Sequence, residues 1–198
     1  MKLNIGFSSF KKNHKSKQDQ LIYRVKSCKD YQQVENIFNF LLVEKNSFIF
    51  ESVEKGTIRG RYTIVGLNPD KVWNINKNTI IEKFEGKKKI INDKPLNFLN
   101  HLIHKFNTKV PNGIPKMAAM LVGYFSYDVI KYAENIPDKC VDDLKIPDVR
   151  MMRPKNLVIY DNLKKKIYFI ENIYAETKIK NYFEKYQSIL RKFKTYED

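Results

Sequence analysis

The sequence predicts a globular chain that mixes α-helices with β-strands, and three observations carry this. Over 198 residues the composition is 42% hydrophobic and 13% aromatic, well within the range of chains that bury a core. Apolar residues recur at three and four in stretches that begin at Tyr31, Leu96 and Ile179, which is the helical period. Short β-branched and aromatic runs elsewhere are separated by turn formers such as Asn76-Lys77-Asn78 and Glu85-Gly86-Lys87, the pattern of hairpins and meanders.

The elements follow in order. Residues 1–18 are polar and basic, with Leu3, Ile5, Phe7 and Phe10 as apolar anchors. They read as a loosely ordered leader or a short docking helix. Residues 21–25 form a first strand. Asp30 then caps a helix carrying Tyr31, Val34, Ile37, Phe38, Leu41 and Leu42. Residues 47–53 are a strand, 54–60 a loop, and 61–67 a strand closed by Asn68-Pro69. Residues 72–75, 79–84 and 88–91 make a meander. Leu96, Leu99, Ile103 and Phe106 mark a second helix, 117–125 a mostly buried strand, and 127–134 a short helix. An acidic loop occupies 138–148, and strands 157–160 and 167–170 form a hairpin. The last segment is an amphipathic helix, with Ile179, Tyr182, Phe183, Tyr186, Ile189, Leu190 and Phe193 on one stripe. Three spans result: 1–18 as leader, 19–172 as the domain proper, and 173–198 as the terminal helix.

The formal charge is +15, which ordinarily points to nucleic acid or anionic membranes. The composition argues against that reading. Of the 37 basic residues 31 are lysine and 6 arginine, whereas base readout and bidentate phosphate clamps favour arginine. The lysines are scattered, and the triplets at 87–89 and 164–166 fall in expected hairpin turns. No stretch near the start reads as a signal peptide. The longest apolar run, near residues 117–122, is far shorter than the ~20 residues a bilayer span needs. Cys28 and Cys140 lie far apart without metal spacing. A soluble, cytoplasmic protein with reduced thiols is expected.

Two features stand out chemically. His101 and His104 share a helix face but have no evident third ligand, so no metal site is assigned. Asp138, Asp142, Asp143 and Asp148 lie in one loop and read as solvated. There is no phosphate-binding glycine loop and no hydrolase triad signature. The second feature is Glu51-Ser52, a carboxylate and a hydroxyl that interrupt an apolar strand run. A strand needing only burial has no use for that pair; a strand edge holding a small polar ligand does.

Three blocks carry a resemblance. They are Phe50-Glu51-Ser52-Val53-Glu54 with Arg61-Tyr62-Thr63-Ile64-Val65-Gly66 and Pro69; Leu121-Val122-Gly123-Tyr124-Phe125-Ser126-Tyr127-Asp128 with Lys131-Tyr132 and Glu134; and Pro147-Asp148, Met151-Met152 and Asn156 through Asn162. In order and spacing they resemble the N-terminal region of anthranilate synthase component I, over most of residues 20–172. The resemblance implies an α+β fold: antiparallel β-sheets in a sandwich with flanking helices, here an incomplete half of the full two-part fold. It also implies the family reaction, in which chorismate and glutamine become anthranilate, pyruvate and glutamate with a separate glutamine amidotransferase subunit. The catalytic residues and the Mg2+ ligands of that reaction belong to a chorismate-binding C-terminal half, so no catalytic or metal-binding residue is expected in this chain.

By the same resemblance, Glu51 and Ser52 line the pocket for the feedback inhibitor L-tryptophan, with Arg61 a looser candidate. The chemistry agrees. Tryptophan needs an anion for its ammonium, donors for its carboxylate and an apolar slot for its indole. Glu51, Ser52 and Arg61 supply the polar types; Phe48, Phe50 and Ile64 could supply walls. Two positions depart from the family pattern: Lys55-Gly56 stands for Gly-Gly, and Ser126 for a glycine. The alternatives are component I of aminodeoxychorismate synthase, a folate-pathway relative, and a basic nucleic-acid-binding module. Whether the chain is a fragment or a natural split subunit stays open.

Overall fold

The computed structural model describes residues 3–51, 60–137 and 142–197. In chain order the elements are α1 (Phe7–Lys15), β1 (Gln20–Ser27), α2 (Tyr31–Leu42), β2 (Phe48–Phe50), β3 (Tyr62–Asn76), β4 (Thr79–Phe84), β5 (Lys87–Ile91), α3 (Pro95–Lys105), β6 (Val122–Phe125), β7 (Val149–Asp161), β8 (Lys166–Ile173) and α4 (Tyr182–Glu197), with 3-10 turns at Lys116–Ala118 and Tyr127–Tyr132. The fold is α+β, and every strand pair for which a register is recorded is antiparallel. The chain divides into two compact units. One comprises Met1–Asn68, Thr108–Ala119 and Lys155–Asp198, and the other Pro69–Asn107 and Met120–Pro154.

In the first unit β8 pairs with β1 from Gln20↔Ile173 to Ser27↔Lys166, and with β7 from Asn156↔Glu171 to Asp161↔Lys166. Alternate residues Val158, Tyr160, Ile167, Phe169 and Ile173 face the core, joined by Val65 and Leu67 of β3. Helix α2 brings Val34, Phe38 and Leu41 to this face, and α4 brings Ile189, Phe193 and Tyr196. Each large side chain buried there contributes on the order of 2 kcal/mol.

Between a loose leader and a docking helix, the chain takes the helix. Phe10 of α1 is fully buried, and Phe7 meets Phe183 of α4 edge-on at 5.6 Å. Helix α4 starts at Tyr182, later than the apolar stripe suggests, because Asn181 Oδ1 accepts from the Glu184 amide and so caps the first turn.

One buried carboxylate ties α4 to the sheet. Glu171 is 1% exposed and accepts from Lys192 Nζ at 2.6 Å, from Asn156 Nδ2 at 2.9 Å and from Lys185 Nζ. Burial pushes its carboxyl up, but the two lysines outweigh that and hold it at about 2. The strand reading over 167–170 stopped short of this residue, because a glutamate does not look like core.

In the second unit the meander forms as expected, with β3 paired to β4 and β4 to β5. Its second turn is tight: Glu85 and Gly86 both take left-handed backbone, φ 48° and 76°, as a two-residue hairpin loop requires. Lys87, Lys88 and Lys89 are not in that turn but on β5. Exposed lysines there discourage edge pairing. Trp73, Ile75, Ile80, Phe98, Leu99, Val149 and Met151 form this unit's core.

Three strand expectations need correction. β3 does not end at Asn68-Pro69 but runs on to Asn76. Asn68 absorbs the irregularity in left-handed backbone, φ 53°, which asparagine tolerates, and its amide donates to Asn156 Oδ1 at 3.3 Å. β7 begins at Val149, eight residues before the expected strand. Its charges are neutralised in place, for Arg153 grips Asp70 through two bonds of 2.9 and 2.6 Å. The strand expected over 117–125 is only Val122–Phe125, and it is largely exposed.

Candidate functional site

The connection from α2 to β2 sets the site up. Asn46 turns the chain in left-handed backbone, φ 62°, and the Ser47 hydroxyl donates to Leu42 O at 2.9 Å. β2 then pairs with β3 as Phe48↔Gly66, Ile49↔Val65 and Phe50↔Ile64. Opposed residues share a face, so Phe48 and Phe50 lie with Ile64 and Gly66, on the side away from Val65 and the helices. Their rings stand 5.1 Å apart at 48°. Gly66 allows this: a β-carbon there would stand 2.2 Å from the Phe48 ring and 3.1 Å from Leu157.

Glu51 follows β2 directly and is exposed. Its Oε1 accepts from the Tyr31 hydroxyl at 2.8 Å. Tyr31 is the first residue of α2, behind the Asp30 cap, which accepts from the Gln32 amide at 3.0 Å. The Tyr31 ring lies 5.8 Å from that of Tyr160. Burial and then the Glu51 bond push the Tyr31 phenol up.

Arg61 is brought to Asp161. Its Nε and Nη2 donate to the two carboxylate oxygens at 3.0 and 2.8 Å, a planar bidentate pair. The guanidinium also covers the Tyr62 ring at 4.7 Å. Asp161 is fully buried and caps its own turn by accepting from the Leu163 and Lys164 amides. Burial pushes its carboxyl up, but Arg61 and those amides prevail and hold it below the usual carboxylate range. Ser52 and the loop 54–59 lie outside the described residues. Of the residues singled out from sequence, then, Glu51 is placed beside Tyr31, and two of the three guanidinium nitrogens of Arg61 are given to Asp161. Tyr31 and Asp161 were not singled out. Asp161 sat in a recognised block, but Tyr31 read only as an apolar helix position.

The second unit holds a cavity of about 560 Å³, lined among others by Lys77, Ser126, Lys131, Tyr132, Asp143 and Asp148. Asp148 does not behave as a solvated loop residue. It accepts from the Lys77 amide at 2.8 Å and from the Tyr132 hydroxyl at 2.5 Å. Burial and this bond push the Tyr132 phenol far up. Ser126 has φ −71°, so its side chain carries no backbone strain. Gly123 is needed: a β-carbon would stand 1.9 Å from Arg150 O on β7.

Of the remaining expectations, His104 Nδ1 bonds Asn100 O at 2.8 Å within α3. Among the described residues no group of three or more His, Cys, Asp or Glu could hold a metal ion. Cys28 is buried, and Cys140 and Asp138 lie outside the described residues. Among the described residues no helix is long and apolar enough to cross a membrane.

Comparison with known proteins gives the context. A profile described as chorismate binding enzyme matches residues 45–196. The chain belongs to the chorismate binding enzyme family. Within the family it is similar to anthranilate synthase component 1 of Acetivibrio thermocellus, 36% identical over 134 residues, covering 67% of this chain and 27% of the relative. It is also similar to anthranilate synthase component 1 of Cereibacter sphaeroides, 30% identical over 169 residues, covering 82% of this chain and 33% of the relative. The match thus spans about a third of the length of these curated relatives. The solved structure of anthranilate synthase component I from Streptococcus pneumoniae TIGR4 shares the fold, with TM-score 0.53 and 23% identity over 72% of this chain and 31% of that one.

Proposed function

We propose that this chorismate-binding-family chain is the N-terminal, effector-sensing region of an anthranilate synthase component I. In this reading the whole cytoplasmic enzyme, with a glutamine amidotransferase subunit, converts chorismate and glutamine to anthranilate, pyruvate and glutamate in tryptophan biosynthesis. The chain contributes scaffold and effector pocket rather than catalytic groups. The Mg2+ of the reaction is assigned to the part of the relatives beyond the matched span.

The observation that carries the reading is the placement of Glu51: an exposed carboxylate at the end of β2, fixed by Tyr31. Glu51 takes the ammonium of L-tryptophan. Ser52 offers a hydroxyl to the carboxylate, and Arg61 offers Nη1, the guanidinium nitrogen not bonded to Asp161. Phe48, Phe50 and Ile64 lie on the face of β2–β3 away from α2, whereas Tyr31 of α2 holds Glu51, so the indole is not assigned to them. Tryptophan inhibits because it binds one conformational state better than the other.

Two measurements test this. In the assembled enzyme, Ser52→Phe raises the tryptophan concentration needed for half-inhibition; an unchanged curve removes Ser52 from the pocket. Product analysis separates the pathways: anthranilate supports the reading, and aminodeoxychorismate moves the chain to the folate-pathway relative.

A further inference from the structure

We propose that Tyr31 is a positioning residue for the Glu51 carboxylate, and that it sets how strongly this site prefers a ligand with an amino group over the same ligand without one. The inference rests on the reading of Glu51 as the ammonium contact.

An exposed glutamate has three rotatable bonds, and ordering them costs side-chain entropy. A ligand that must immobilise Glu51 bears that cost on binding. Here the cost is met in advance. The Tyr31 hydroxyl donates to Oε1 at 2.8 Å, which leaves Oε2 and the remaining lone pairs for a ligand cation.

Tyr31 is itself well fixed. It opens α2 behind the Asp30 cap. Its ring packs on Tyr160, which is fully buried and donates to Cys28 O at 3.4 Å. A phenol has one proton, and here it is given to Glu51. An apolar residue at position 31 would keep the helix but free the glutamate.

By occupying Oε1, Tyr31 could compete with a ligand ammonium rather than prepare the site for it. The two roles predict opposite signs, so one experiment separates them.

The test titrates the assembled enzyme calorimetrically with L-tryptophan and with indole-3-propionate, which has the same ring and carboxylate but no amine. Unsubstituted protein, Tyr31→Phe and Glu51→Gln are compared. The unsubstituted enzyme prefers tryptophan. Tyr31→Phe reduces that preference about tenfold, roughly one hydrogen bond to a charged group, and leaves indole-3-propionate binding within twofold. Glu51→Gln abolishes the preference. If Tyr31→Phe binds tryptophan as well as or better than the unsubstituted enzyme while Glu51→Gln loses it, the positioning role is overturned and the Glu51 reading stands. Equal loss of both ligands in Tyr31→Phe would mean a merely structural role and also overturns the proposal. If Glu51→Gln keeps the preference, or if neither ligand binds the unsubstituted enzyme, the Glu51 reading falls and the proposal with it.

Discussion

The ring of Phe48 occupies the space where a side chain on Gly66 would begin. The two residues are direct partners across β2 and β3, and a β-carbon on Gly66 would stand 2.2 Å from the ring. Gly66→Ala must therefore displace Phe48. We expect a loss of about 2 kcal/mol in urea unfolding, typical of overpacking. Phe48→Leu in the Gly66→Ala background recovers part of it. Additive losses would mean that the two positions do not compete for one space.

Gly123→Ala is expected to cost more. Its clash is with the carbonyl oxygen of Arg150, 1.9 Å away, and backbone cannot rotate aside as a ring can. The pairs Gly123↔Met151 and Tyr124↔Arg150 should open, so amide exchange along β6 should accelerate. Exchange at the unsubstituted rate would contradict the close approach.

Glu171 makes stability depend on pH. Its folded carboxyl lies at about 2 against an ordinary 4.5. A depressed carboxylate contributes stability that is fully present above about pH 4.5 and is lost as pH falls toward 2. Glu171→Gln leaves Lys185 and Lys192 facing each other without their anion, a loss of about 3 kcal/mol at pH 7. The gap between the two proteins should shrink by about 2 kcal/mol between pH 5 and pH 3. A constant gap would show that Glu171 is not ionised in the folded chain.

Arg61→Ala leaves Asp161 buried with only the Leu163 and Lys164 amides. Removing Arg61 leaves that buried carboxylate without its cation and lowers stability. The Asp161 carboxyl should then rise, which carbon-detected NMR titration reads directly. An unmoved carboxyl would mean that Arg61 is not what holds it down.

Much of the scaffold was legible in the sequence, and the failures share a cause. Helix α2 was readable because Asp30 and the apolar spacing from Tyr31 agree. The β4–β5 hairpin was readable because Glu85-Gly86 suits its turn. By contrast β3 passes through Asn68-Pro69, residues that usually stop a strand, because asparagine can take left-handed backbone. The first half of β7 carries Arg150, Arg153 and Lys155. It could not look like a strand until Asp70 was known to lie opposite Arg153. Glu171 was invisible for the same reason, since its lysines come from a distant helix. At the site, Glu51 stood out as a polar break in an apolar run. Tyr31 did not, because its one distinguishing feature is a contact across 20 residues of chain. Pairwise neutralisation and long-range contacts are set by the fold, and local pattern does not record them.

Glu51 is proposed to sense the amino group of tryptophan. The most direct measurement is the rate of anthranilate formation by the assembled enzyme against L-tryptophan concentration, each variant scaled to its own uninhibited rate. Glu51→Gln should raise the half-inhibiting concentration at least about tenfold, the loss of one charge-assisted contact. A half-inhibiting concentration equal to that of the unsubstituted enzyme would contradict the account.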